Sequence, residues 1–273
     1  MMDAAAGREL LKEKIAGHGS MVVSFSGGVD SGLLAVLARE ILGSKSRCVF
    51  LDSPIVPREA LKDAKRIAQT YGLELDIIPV HIMDDIRFRT NPADRCYWCK
   101  KKSATVLKWR AAELNFACVA DGINLSDTEE HRPGLVAASE EKIVHPFLDT
   151  GLTKEDIREI AHLSGLDFWD KPSAACLATR IPYGDEITRE KLRLIEDAEA
   201  FLHTSGFAQV RVRVHGKIAR IEVPAPDMPA LLSMHRAVAE TLRSIGFTYV
   251  TLDLWGYRSG SMDEVLGQKG KRP

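Results

Sequence analysis

Net charge is what this sequence most lacks: 37 Lys and Arg stand against 38 Asp and Glu in 273 residues, a balance of −1. A protein that holds long nucleic acid needs a basic surface to displace counterions, so stable nucleic-acid binding is not expected. No apolar run approaches membrane-spanning length. Met1 to Ile15 reads as an amphipathic helix without the apolar core of a signal peptide, so no membrane attachment is expected and the expected setting is the cytoplasm. Cysteine is scarce, and its count of five is odd. In a cytosolic chain that argues against a disulfide framework and leaves chemistry or metal binding as its use. No second C-x-x-C pair and no histidine pair at ligand spacing accompanies Cys96 and Cys99, which excludes a complete zinc site. Internal repeats and low-complexity stretches are absent too. At 45% hydrophobic and 27% charged residues, the chain is long enough for one large domain, or a main domain and a smaller one.

The run Val22-Val23-Ser24-Phe25-Ser26-Gly27-Gly28-Val29-Asp30-Ser31 carries the strongest signal. A short β-branched strand feeds a Ser-Gly-Gly turn, and Leu33, Leu34, Val36 and Leu37 follow at helical spacing. Adjacent glycines allow close backbone approach, and the new helix directs unpaired N–H groups and its positive end at the same point. The turn should therefore hold an anion. No Gly-Lys-Ser/Thr follows, so this is not a Walker A loop. It resembles the PP-loop of ATP pyrophosphatases, which split ATP to AMP and pyrophosphate. That resemblance implies that Ser26, Gly27, Gly28 and Ser31 cradle pyrophosphate, with Ser24 at the strand end and Asp30 placing Mg²⁺. Gly32 stands where such loops often carry Ser or Thr, so one hydroxyl ligand is expected to be missing.

Strand candidates at 21–26, Cys48–Asp52, Leu75–Val80 and Ala117–Asp121 alternate with helical patterns, notably Arg58–Tyr71 and Trp98–Leu114. This rhythm predicts an α/β fold with a doubly wound parallel sheet and ligands at the carboxyl ends of its strands. Asp52 and Ser53, and Asp121 with Gly122, fall at such ends. Beyond Ile181-Pro182-Tyr183-Gly184 the pattern changes. A helix (Arg189–Thr204), a hairpin turning at His215-Gly216-Lys217, a helix (Met228–Ile245) and a strand (Thr248–Leu254) predict a smaller α+β domain. The expected division is 1–183 and 184–273.

Cys96-Tyr97-Trp98-Cys99 alone fits a redox pair, half a metal site or buried thiols. Cys176 lies in Lys171-Pro172-Ser173-Ala174-Ala175-Cys176-Leu177-Ala178-Thr179-Arg180; reactivity there would need partial ionisation, and Arg180 is the nearby cation. Cys48 and Cys118 sit in predicted strands and read as core residues.

Together with Asp94-Arg95-Cys96, Asp121-Gly122-x-Asn124-x-x-Asp127, Arg132-Pro133-Gly134, Val214-His215-Gly216 and Gly256-Tyr257-Arg258-Ser259-Gly260-Ser261-Met262, these segments resemble the LarE family over nearly the whole chain. That family comprises ATP-dependent sulfur transferases that build the nickel-pincer nucleotide cofactor. Ile123, in place of the usual Thr, and His145-Pro146-Phe147 depart from its pattern.

The resemblance implies ATP and Mg²⁺, a small nucleotide substrate (pyridinium-3,5-biscarboxylic acid mononucleotide), a homo-oligomer and a possible sulfide donor protein. It implies either that Cys176 sacrifices its own sulfur or that Cys96, Cys99 and Cys176 bind three irons of a [4Fe-4S] cluster; the presence of all three favours the cluster. Asp52, Gly122 and Asn124 are expected at the nucleotide and Asp127 at Mg²⁺, where Glu130 could join it, the alternative being two solvated loop acids. Arg213, favoured over Arg211 and Arg220, and Arg258 are expected to contact phosphate or carboxylate, the alternative being a solvated strand face. Trp98 stacks or packs. The rivals are a tRNA thiolase, an amide-forming ligase of the NAD synthetase type, and a non-catalytic adenylate sensor.

Overall fold

The structure, a computed structural model, describes residues 3–128, 133–172, 175–258 and 260–267. It divides into two compact units: Met1–Ile82 with Asp94–Ala174, and Met83–Ala93 with Ala175–Pro273. The division thus falls nearer the N-terminus than 183, and the second unit also takes an eleven-residue segment from the first half of the chain.

In the first unit, β1 (Met21–Ser24), β2 (Ser46–Asp52), β3 (Leu75–Pro79) and β4 (Cys118–Ala120) form a parallel sheet in the order β3-β2-β1-β4. Alternation decides which way each side chain faces. Met21, Val23, Cys48 and Phe50 face a core shared with helices α1 (Ala4–His18) and α2 (Val29–Leu42), and Val22, Val49 and Val119 face the other way. Helix α3 (Arg58–Thr70) contributes Ala60, Ala64, Ile67 and Ala68 to the first core. Helix α4 (Ile86–Arg89) belongs to the second unit. Helices α5 (Arg95–Glu113) and α6 (Pro133–Glu140) cover the second face, while α7 (Pro146–Asp149) and α8 (Lys154–Leu163) join the first. With both faces covered, the sheet is the expected doubly wound one. Its order reverses between β1 and β4, the place where such sheets bind ligands.

In the second unit, β5 (Arg211–His215) and β6 (Ile218–Glu222) form the expected antiparallel hairpin, and β7 (Tyr249–Leu252) pairs parallel with β6. Helix α9 (Arg189–Thr204) has the expected bounds. The helix expected over Met228–Ile245 is two, α10 (Met228–Ser233) and α11 (His235–Ile245), parted at Met234. A short α12 (Glu264–Gly267) follows. The segment Met83–Ala93 is tied in by Asn91, fully buried, whose Nδ2 donates to the carbonyls of Ile181 (3.2 Å) and Pro182 (2.7 Å).

Among the described residues, no helix is long and apolar enough to cross a membrane.

Candidate active site

The loop between β1 and α2 joins strand to helix as the sequence predicts, though the strand ends at Ser24, two residues short of the expected 26. Gly27 takes φ +73°, and α2 begins at Val29. Ser31 Oγ accepts from the Ser26 amide (3.1 Å) and lies 3.0 Å from Ser26 Oγ, closing the turn. Among the described residues, the amides of Gly27 and Gly28 have no hydrogen-bond partner in the protein. Free amides next to a helix start are an arrangement suited to a phosphate group. A side chain at Gly27 would meet the α3 backbone, with Cβ 2.9 Å from Ala64 N. At Gly32, Cβ would lie 2.6 Å from the Phe168 ring, so the phenyl group fills the space a Ser or Thr would need.

Beside the loop, Gly122 at the end of β4 packs against Asp30 and Ser31. Asn124, nearly fully buried, approaches Asp30 Oδ2 through Nδ2 (3.5 Å), and its amide donates to Asp127 Oδ2 (3.1 Å). Among the described residues, its own Oδ1 has no hydrogen-bond partner. Burial pushes the Asp30 carboxyl upward; Lys154, the first residue of α8, pulls it back through an ion pair (2.6 Å to Oδ1), and Asp127 adds to the push. Asn124 thus touches both Asp30 and Asp127, and two neighbouring carboxylates are ligands of the kind that suits Mg²⁺. Asp52 ends β2, and its Oδ1 accepts from Arg58 (2.6 Å), which also holds the carbonyls of Ser53 and Val56.

Helix α5 starts at Arg95, ahead of the expected Trp98, so Cys96 and Cys99 both lie in its first turns, three residues apart. Side chains so spaced share a helix face. Cys96 is exposed and Cys99 partly so. Trp98 packs edge-on against Tyr97 and donates to Asp94 (3.2 Å). Cys48 is core, its thiol pushed up to about 12 by burial, whereas Cys118 is only half-buried, pushed up to about 11, with Sγ 3.5 Å from the Ser20 carbonyl. Lys100, next to Cys99, and His145 both grip buried Asp121, His145 Nδ1 at 2.7 Å. Burial opposes ionisation of Asp121, but these two partners outweigh it and hold the carboxyl below its ordinary value.

In the second unit, Cys176 precedes a 3₁₀ turn, Leu177–Arg180. Arg180 is buried. Its Nε and Nη2 each donate to Glu199 (2.9 Å), and Nη1 donates to the carbonyls of Ala175 and Cys176 (3.0 Å each) and to Thr179 Oγ1. It thus shapes the backbone that carries Cys176. The solvated strand face weighed for Arg211 and Arg213 is not what the structure has: both are buried. Arg213 donates to Glu222 (2.7 and 3.0 Å), Ser261 (3.0 Å) and the Thr179 carbonyl (3.0 Å). Arg220 pairs with Glu222 and Asp253. Arg258 pairs with Glu264 (3.0 Å) and lies over Trp255; among the described residues its Nη1 has no hydrogen-bond partner.

Glu130, Arg132, Ser173 and Ser259 lie outside the described residues. Among those described, no three His, Cys, Asp or Glu side chains form a metal-holding group. Sequence reasoning missed Lys100, Lys154, Lys171 and Glu199. Only Lys154 had a local signal: the capping box Thr153-x-x-Asp156 marks the start of its helix.

Comparison with known proteins supplies the rest. A family model described as NAD synthase matches residues 6–97. The chain is 39% identical to an uncharacterized protein of Synechocystis sp., over 90% of this chain and 92% of that protein. It is 34% identical to the pyridinium-3,5-bisthiocarboxylic acid mononucleotide synthase of Lactiplantibacillus plantarum, over 90% of each. An uncharacterized protein of Methanocaldococcus jannaschii is 33% identical, over 91% of this chain and 94% of that protein.

Proposed function

The chain belongs to the LarE family of ATP-dependent sulfurtransferases, and from that premise we propose that it activates a carboxylate of pyridinium-3,5-biscarboxylic acid mononucleotide and converts it to a thiocarboxylate. The observation that carries this reading is the loop at Ser26–Ser31, whose unpartnered amides suit a leaving pyrophosphate. A carboxylate repels nucleophiles. Its oxygen must first attack the α-phosphorus of ATP, breaking the bond to the β-phosphate and giving an acyl-adenylate whose AMP then leaves as sulfur attacks the carbonyl carbon. Gly27 and Gly28 would bind the departing charge through their amides, where fixed donors act most strongly. Asp30 and Asp127 would hold Mg²⁺, which would screen that charge. The NAD synthase match ends at residue 97, short of Cys99 and Cys176. It therefore bears on the nucleotide half and does not favour ammonia over sulfur.

For the sulfur source we favour a cluster on Cys96, Cys99 and Cys176 over sacrifice of Cys176. The donor set supports this: three thiols suit iron–sulfur ligation, and two of them share one helix face. With three protein ligands, a bound [4Fe-4S] cluster would keep one iron open to an extra sulfide. Arg180 would hold the Cys176 backbone, and Arg258 would face the substrate's phosphate or carboxylate; Arg213, expected there too, has its donors taken by Glu222, Ser261 and the Thr179 carbonyl and would brace that backbone instead.

The test is anaerobic purification with iron and sulfide analysis, plus intact mass before and after turnover. About four irons and four sulfides per chain with unchanged mass is the expected result. No iron, with the protein lighter by one H₂S, would move the sulfur source to Cys176. Absence of pyrophosphate release in the presence of substrate would end the reading altogether.

A further inference from the structure

We propose that Lys171 is a positioning residue for ATP cleavage, fixing the Gly27–Gly28 peptide with its amide hydrogen toward the leaving pyrophosphate. The proposal rests on the reading of the loop given above. Lys171 Nζ donates to the Gly27 carbonyl at 2.8 Å and is ion-paired with Asp63 of α3. Its own main chain is held in turn: Arg158 of α8 donates to the carbonyls of Lys171 (2.8 Å) and Trp169 (3.3 Å). Three residues earlier, Phe168 fills the space beside Gly32. The stretch 168–171 therefore meets the loop and its helix at two points.

The geometry gives Lys171 a task that a surface ion pair lacks. Gly27 is the residue least able to fix its own backbone. The described chain has no cis peptide, so the Gly27 carbonyl and the Gly28 N–H point opposite ways across one plane. A cation on the carbonyl both locks that plane and polarises it, strengthening the Gly28 N–H as a donor on the far side. Donors fixed before the reaction need no reorganisation when charge develops. Asp63 bears on which role Lys171 plays. A lysine neutralised by a carboxylate brings little net charge to a phosphate, which argues for action through the peptide rather than for direct contact.

The experiment compares the wild type with Lys171→Met, Lys171→Arg and Asp63→Asn. It reads affinities for inorganic pyrophosphate, ATP and AMP, kinetic constants, and the Gly28 amide resonance in ¹⁵N-glycine-labelled, ligand-free protein. Lys171→Met should weaken pyrophosphate and ATP by about tenfold, the scale of one charge-assisted contact, and leave AMP unchanged. The Gly28 resonance should move, Lys171→Arg should recover most of the affinity, and Asp63→Asn should fall between. Unchanged pyrophosphate affinity in Lys171→Met overturns the proposal. So does lost affinity with the Gly28 resonance unmoved, which makes Lys171 a direct ligand. Equal loss of AMP and pyrophosphate in both Lys171 variants makes the lysine merely structural. If the wild type binds AMP but not pyrophosphate, the loop reading itself fails, a result distinct from any effect of the variants.

Discussion

At the scale of single residues, several buried charged side chains hold main chain in place. Arg180 is the plainest case. Paired with Glu199 and donating to the carbonyls of Ala175 and Cys176, it converts a position in α9 into the conformation at Cys176. Glu199 also accepts from the Val212 amide (2.9 Å), so β5 enters the same chain of contacts. Removing one partner of a buried pair leaves an uncompensated charge and costs about 3–5 kcal/mol. Glu199→Gln should therefore lower the melting temperature and the kcat of sulfur transfer while leaving pyrophosphate affinity intact, as thermal melts and equilibrium binding would show. Asp121 makes a prediction in pH. Its folded carboxyl is held below the ordinary value by Lys100 and His145, so its contribution is present above about pH 4, the unfolded value, and is lost as pH falls through the folded one. The melting-temperature gap between wild type and Asp121→Asn should be widest near neutrality and shrink on acidification. A constant gap would remove Asp121 as an ionised partner.

Among elements, the start of α2 shows how packing decides a residue that motif reading treats as a departure. Gly32 differs from the hydroxyl residue common in such loops because the Phe168 ring occupies the space beside it, 2.6 Å from a would-be Cβ. Gly32→Thr should overpack this contact and cost about 1–3 kcal/mol. Phe168→Ala should leave a cavity and cost about 3–5 kcal/mol. In the double variant the added methyl and hydroxyl occupy part of that cavity, so the two costs should fall short of additive by about 0.5–3 kcal/mol. Denaturant unfolding of the four proteins measures this directly; strict additivity would mean that the two positions do not share the space. Helix α5 carries a related lesson. Its start at Arg95 puts both thiols of the C-x-x-C within the helix, where three-residue spacing aligns them.

For the whole molecule, what could be read from the sequence was what local pattern encodes. The β-branched run Val22-Val23, the Gly-Gly turn and the apolar spacing after it specify strand, loop and helix without help from elsewhere, and α9 has its expected bounds for the same reason. What could not be read depends on contacts between distant positions. Lys171 reaches Gly27 across 144 residues, and as a sequence symbol it looks like any solvated lysine. Arg211 and Arg213 alternate with valines as a solvent-facing set would, yet both faces of their strand are covered. Asn91 is the extreme case. It has no motif around it, takes the left-handed φ of 56°, and lies in the short segment Met83–Ala93 of a unit whose remaining residues begin at Ala175. Its Nδ2 satisfies the Ile181 and Pro182 carbonyls, and its own carbonyl accepts from the Gly184 amide (2.9 Å). Asn tolerates that φ better than most residues because of its short polar side chain. Asn91→Ala would lose two donations to buried main chain and add strain at the same point. Each unsatisfied group costs about 1–3 kcal/mol, so the second unit should be markedly destabilised. Pyrophosphate binding depends on Ser26–Ser31 in the first unit and should be unchanged in folded protein. Hydrogen exchange resolved by segment would check this: faster exchange should concentrate in the second unit, around Ile181–Ile187. Unaltered exchange there would show that Met83–Ala93 is not what holds that segment.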